Sequence, residues 1–226
     1  MSRFKQFFHA CAAGGFIAAA AGFSGSALAA PSSITAQTQT GTLTALNGSG
    51  ANGTISIQLR GERYLTVQVD ATGLEPGIQH LGHIHGRQAP GNVVNSVCPS
   101  TAQDSDADGY VELAEGQVTY GPIIIGFGNV DPDMDGTVHF NRTFDLNDPS
   151  IYQPGFSKSD VLPLDLREIV LHGMTLKAGQ GATNANSIAP NEADGTAGEK
   201  AVLPVTCGDI QNASHYPHVV NNPHKH

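Results

Sequence analysis

The chain is 226 residues long, carries 11 Lys and Arg against 20 Asp and Glu for a formal charge of −9, and contains no Trp. An acidic surface repels phosphate backbones, and no basic stripe interleaved with aromatics is present, which argues against nucleic acid as a partner. After residue 30 no stretch is apolar over the ~20 residues needed to span a bilayer, so the sequence predicts no membrane span in the processed protein.

Residues 1–30 open with Arg3 and Lys5, continue through an apolar run from Ala10 to Phe23 and end on small residues before Pro31. This is the layout of a secretory signal peptide, and it predicts a periplasmic or secreted protein. The apolar run is diluted by Gly and Ser and is too short for an anchor. Residues 31–37 read as a flexible N-terminal segment. From Thr40 to Leu74 the sequence alternates apolar and polar, clearest at 54–59 and 64–70, as half-buried antiparallel strands do. Further strands are expected at 81–85, 118–127, 136–144 and 168–176, and no useful helical period appears after the leader. Residues 38–210 therefore read as one all-β sandwich or barrel with two long loops, 87–117 and 177–203. Residues 211–226 read as a flexible, His-rich tail in which His215, His218, His224 and His226 can bind metal adventitiously.

Of the three cysteines, Cys11 lies in the leader, leaving Cys98 and Cys207 as a pair in an oxidising compartment, where a bridge is expected. Closing a loop of more than a hundred residues is worth about 4–5 kcal/mol in the chain-entropy account. His83 and His85 stand two apart in an expected strand, so both side chains leave one face. His172, in a second expected strand, can close the set from across the barrel. Three neutral imidazoles suit copper or zinc, and an open fourth position favours catalysis or ligand exchange. The plainer alternative is three ordinary polar residues on a solvated sheet face.

The segment Gly73-Leu-Glu-Pro-Gly-Ile-Gln-His-Leu-Gly-His-Ile-His-Gly86 resembles the copper/zinc superoxide dismutases, in which a Gly-Leu-x-x-Gly turn leads into His-x-x-His-x-His. The likeness continues through Cys98, Gly128-Asn-Val130 before an Asp-rich turn, Val170-Leu-His172, Gly195-Thr-Ala-Gly198 and Cys207-Gly208. It implies a Greek-key β-barrel, copper on His83, His85 and His172, a non-ligand His80 facing away, a Cys98–Cys207 disulfide and superoxide as substrate. As an enzyme of that kind, the protein would oxidise one superoxide to oxygen and reduce a second to peroxide. The departures are specific. Residues 99–130 contain no histidine, so the bridging imidazole and the zinc ligands are missing and zinc is not predicted. Pro204 stands where the family places an anion-attracting arginine, with Lys200 the nearby cation. A weaker resemblance, through His83-Ile-His-Gly86, is to the CHRD domains. It implies a non-enzymatic extracellular module held together by calcium and a disulfide. Copper buffering or delivery is a third reading of the same histidines.

Asp104-Ser-Asp-Ala-Asp-Gly-Tyr-Val-Glu-Leu-Ala-Glu115 fits the twelve-residue calcium loop of an EF-hand: Asp104, Asp106, Asp108 and Glu115 as carboxylates, the carbonyl of Tyr110, the turn at Gly109 and the apolar anchor Val111. No flanking helices are expected, and the ion's role reads as structural. A second acidic turn, Asp131, Asp133 and Asp135, repeats half of the pattern but has Arg142 at position twelve, so it reads mainly as a β-turn, with a second calcium loop as the lesser alternative. His139 reads as a surface residue. Both cysteines of the processed chain are committed to a bridge and no Gly-x-Ser-x-Gly elbow or phosphate-cradling loop is present, which disfavours hydrolase and nucleotide chemistry.

Overall fold

The computed structural model describes residues 36–89, 92–180 and 197–212. The chain divides by contacts into residues 1–33 and 34–226, and every described residue belongs to the second unit. The leader and the four tail histidines lie outside the described residues.

Three long strands form the first part: β1 (Ala36–Ala45), β2 (Asn52–Arg60) and β3 (Tyr64–Thr72). Their alternation sends Ile55, Ile57 and Leu59 of β2, with Leu65, Val67 and Val69 of β3, to one side as a continuous apolar layer. Each such side chain contributes about 1.5–3 kcal/mol of burial. The short strand β4 (Leu81–His85) follows, then a minimal hairpin of β5 (Gln88–Ala89) and β6 (Asn92–Val93), helix α1 (Leu113–Tyr120), β7 (Ile123–Asn129) and β8 (Val138–Asp145). A single helical turn, α2 (Lys158–Val161), precedes β9 (Glu168–Leu176), β10 (Gly198–Asp209) and the two-residue β11 (Gln211–Asn212).

The sheet order is β7-β4-β9-β10-β1-β2-β3-β8, with β11 added beside β1. Every pairing is antiparallel. Strands β7 and β8 are successive in sequence yet form the two ends of the path, so the sheet curls into a nearly closed barrel. Strand β9 returns to β4 and β10 returns to β1, the non-local connections of a Greek-key arrangement.

Parity along β4 and β9 creates two different surfaces. Ile84, Ile169 and Leu171 enter the barrel core with Val205 of β10. His83, His85, Glu168, Val170 and His172 alternate with them on the other face, yet these too are buried. The cover is the segment between β4 and β7: Tyr120, Leu113 and Cys98 pack with Leu46 against Val170 and Cys207. The Cys98–Cys207 disulfide fastens that cover, joining positions 109 residues apart across a Cα separation of 5.7 Å.

Several boundaries differ from the sequence reading. The strand expected from 118 starts only at Ile123, because 113–120 is helical. Strand β8 begins at Val138, since Gly136 sits in the preceding turn with φ +83°. Strand β1 begins at Ala36, two residues before the expected domain start, and residues 211–212 of the expected tail pair with β1 through Gln39↔Asn212 and Thr40↔Gln211. The expected loop 177–203 gives way to β10 at Gly198; the register shifts on both sides of Pro204 accommodate a residue that cannot donate to the ladder.

Candidate metal centre

Antiparallel pairing of β4 with β9 sets Leu81 opposite His172 and His83 opposite Val170. The three rings close on one another: centroids lie 4.9 Å apart for His83 and His172, 5.5 Å for His83 and His85, and 5.6 Å for His85 and His172. One ring nitrogen from each lies within 4.8 Å of the other two.

Hydrogen bonds decide which nitrogens face inward. His85 Nδ1 donates to the carbonyl of Gly121 at 2.9 Å, and His172 Nδ1 donates to the carbonyl of Val202 at 2.7 Å. A carbonyl only accepts, so both rings carry their proton on Nδ1 and keep a lone pair on Nε2. Those two Nε2 atoms and Nδ1 of His83 are buried without a hydrogen-bond partner among the described residues. A buried polar atom left in this way costs about 1–3 kcal/mol. The lone pairs on Nε2 of His85 and His172, together with the unpartnered Nδ1 of His83, are a donor set that an imidazole-bound cation completes, so the residues fit such an ion.

Burial also fixes protonation. Desolvation, then the proximity of His172, takes His83 down to about 3. Desolvation takes His172 down to about 4, with the Val202 carbonyl pulling the other way. The same burial, reinforced by His172 and His83, sends His85 well below the usual range. All three rings are therefore neutral at physiological pH, the state a metal requires. The site is nearly sealed: His172 is 0 % exposed, His85 1 % and His83 9 %, so its one wetter side is that of His83.

The supporting groups are mostly backbone, which is why sequence reading does not reach them. Gly121 ends α1 with φ +81°, and a Cβ there would run into the backbone of Gly86. Only glycine turns the chain so that its carbonyl meets His85. Tyr120 stands edge-on to His85, with centroids 4.5 Å apart. His80 faces away from the cluster, as the resemblance implies: its Nδ1 lies 3.0 Å from the carbonyl of His172 and its Nε2 2.9 Å from that of Glu75. Glu168 is a further group that the sequence did not single out. It is 2 % exposed, lies opposite His85 and Asp209 in the ladders, and is pushed up to about 10 by burial and then by the Asp209 carboxyl.

The acidic loop is built differently. Oxygens of Asp104, Asp106 and Asp108 lie within 4.8 Å of one another, as do those of Asp106, Glu112 and Glu115. Gly109 takes φ +94° at the turn. Most of these carboxylates already accept hydrogen bonds from the loop itself. Asp104 accepts from the backbone of Asp108 (3.1 Å) and Gly109 (2.9 Å), Asp108 from Tyr110 (2.8 Å), and Glu115 from the N–H and hydroxyl of Ser105 (2.7 and 2.6 Å). Val111 is buried, and both of its backbone groups bond the side-chain amide of Asn47, at 2.8 and 3.0 Å, which pins the loop to the β1–β2 turn. Contrary to the expectation of no flanking helix, α1 begins at Leu113 directly from the loop. Glu112 and Glu115 form its capping box. Glu112, unnoticed in the sequence, is 6 % exposed and pushed up to about 9, by burial first and then by its hydrogen bond with Glu115.

In the second acidic turn, Asp133 and Asp135 accept from Thr137 N–H at 3.0 Å each, while Asp131 turns to accept from the N–H of His80 at 3.1 Å. His139 is exposed and pairs with Asp70 at 2.8 Å. Lys200 is buried in β10.

No protein-family model matches this chain, and no curated protein matches it. Among solved structures it is similar to a SOD-like protein from Bacillus subtilis, at 18% identity over 76% of this chain and 97% of that one, with a TM-score of 0.39. It is also similar to a double mutant of a SOD-like protein from the same organism, at 17% identity over 76% and 97%, with a TM-score of 0.37. Among the described residues no helix is long and apolar enough to cross a membrane.

Proposed function

We propose that this is an exported metal-binding protein that holds copper on His83, His85 and His172, with calcium ordering the 104–115 loop. The observation that carries the reading is the set of three buried, mutually facing ring nitrogens without partners among the described residues, two of them on rings whose other nitrogen is tied to a backbone carbonyl. Reading the histidines as hydrogen-bonded core groups, as the CHRD resemblance would have it, leaves those three nitrogens unexplained. Copper is preferred over zinc because a divalent nitrogen site favours it in the Irving–Williams order and because the histidines of a zinc loop are absent from residues 99–130. The leader pattern and the disulfide support export.

Within this reading the protein's own groups have distinct tasks. His83, His85 and His172 hold the ion. The carbonyls of Gly121 and Val202 fix ring orientation and tautomer. Tyr120 and the covering segment exclude water, and the side of His83 leaves the route for an exchanging ligand. Copper held there would supply one-electron chemistry between its two common oxidation states. Superoxide is the substrate that the sequence resemblance implies; copper storage or delivery would use the same rings without turnover.

The test is to produce the processed chain without a tag, supply copper, zinc and calcium together, desalt, and count metals per chain by mass spectrometry, followed by a superoxide assay of the copper form. About one copper per chain with little zinc supports the reading. Calcium alone would leave a calcium-ordered binding module and sink the copper centre.

A further inference from the structure

A second donor cluster lies under the disulfide. Cys98 and Cys207 Sγ and a carboxylate oxygen of Glu168 all fall within 4.8 Å of one another, and Glu168 Oε2 is 3.4 Å from Cys98 Sγ. Two of the three are fixed by the sheet: Cys207 sits on β10 opposite Val170, and Glu168 is two residues from Val170 along β9. Cys98 belongs to the irregular covering segment instead. A cavity of about 620 Å³ opens beside the bond, lined by Cys98, Cys207, Pro99, Ser100, Leu46 and Asp104. It gives a small reductant access to the sulfurs and gives Cys98 room to withdraw.

We propose that Cys98, Cys207 and Glu168 form a thiol-gated metal site: once the disulfide is reduced, two thiolates and one carboxylate hold a thiophilic divalent cation of the zinc or cadmium class. A dithiol reductant supplies two electrons and two protons. The Cys98–Cys207 S–S bond breaks, both sulfurs become thiols, and the reductant leaves as its own disulfide. Cation binding then sends three protons to solvent, one from each thiol and the one that buried Glu168 carries beside Asp209. Metal–sulfur bonds of ~2.3 Å in a tetrahedral site set the sulfurs about 3.7 Å apart. From a Cα separation of 5.7 Å that spacing needs only a modest outward shift of Cys98 toward the cavity. Glu168 supplies a third donor from a rigid strand, and water takes the fourth position.

The experiment is a cadmium titration of the purified protein before and after reduction with a phosphine, followed by ultraviolet thiolate-to-cadmium charge-transfer absorption, with far-UV circular dichroism reporting the sheet. The oxidised protein should show no band. The reduced protein should develop one that saturates at a single equivalent and survives in His172→Ala, which separates it from the histidine centre. Glu168→Gln should weaken cadmium at least about tenfold, because even outer-shell partners of a metal are worth 10–100-fold. A reduced protein with no band, an unchanged affinity in Glu168→Gln, or a sheet signal lost on reduction and not restored by cadmium would each overturn the proposal.

Discussion

The three-histidine cluster and the 104–115 loop both gather metal-ligating side chains, but they hold them by opposite means. The histidines come from two strands of one sheet, are almost fully buried, and turn unsatisfied nitrogens toward one another. The acidic loop is local and only partly buried, and most of its carboxylates are occupied by the loop's own N–H groups. In the first case the fold has already met the cost of assembling the donors, and an ion removes a desolvation penalty. In the second, an ion must compete with existing hydrogen bonds, so binding is expected to be weaker and its effect local.

The largest expected effect comes from cutting the tie between the two regions. Replacing Cys98 and Cys207 together by Ser should cost about 4–5 kcal/mol for a loop of this length, read as a lowered midpoint in denaturant unfolding. A loss under ~1 kcal/mol would mean that Asn47 and the packing of Tyr120 hold the cover unaided.

Next is the contrast between the two ions. At a hundredfold excess over its Kd, copper should stabilise the folded chain by about 2.7 kcal/mol, roughly 5–10 °C in Tm for a chain of this size. His172→Ala should abolish both the shift and the bound copper. An unaltered copper stoichiometry in that variant would move the centre elsewhere. Calcium at ~1 mM, against an extracellular-type Kd of ~10⁻⁴ M, should add about 1.4 kcal/mol, or some 3–6 °C. Glu115→Gln should remove most of that while leaving copper binding intact. A calcium shift as large as copper's would break the comparison between the regions.

The smallest effect concerns a histidine outside both. His139 is raised above its usual value by its hydrogen bond to Asp70. A raised histidine contributes stability that is present in full below its unfolded pKa of ~6.5 and is lost as pH rises through the folded value. Wild type should therefore lose a slight advantage over His139→Gln between pH 6 and 8, seen as converging melting temperatures. Divergence with rising pH would reverse the assignment.

How much of this is legible in the sequence depends on the range of the interaction. Period-two spacing puts His83 and His85 on one face whatever the partner strand, and the alternation of β2 and β3 is visible for the same reason. The pairing of β4 with β9 is not local: the strand-like context of His172 made it a candidate third ligand, and the resemblance to a known family strengthened the link, but neither gave the register. The carbonyls of Gly121 and Val202 carry no side-chain signature at all. Strand β10 is hidden by Pro204, which ordinarily argues against a strand and here is absorbed by register shifts. Helix α1 contains Gly116 and β-branched Val118 and Thr119, which blurs its period, although Glu112 and Glu115 at capping-box spacing could have announced it.

The disulfide makes a covalent ring of residues 98–207. The acidic loop and His172 belong to that ring, while His83 and His85 lie on the strand before it. A protease that cuts once between Cys98 and His172 produces two fragments that stay linked through the disulfide. Such a nicked molecule would run as a single species without reductant, and its three histidines would be contributed by two polypeptides.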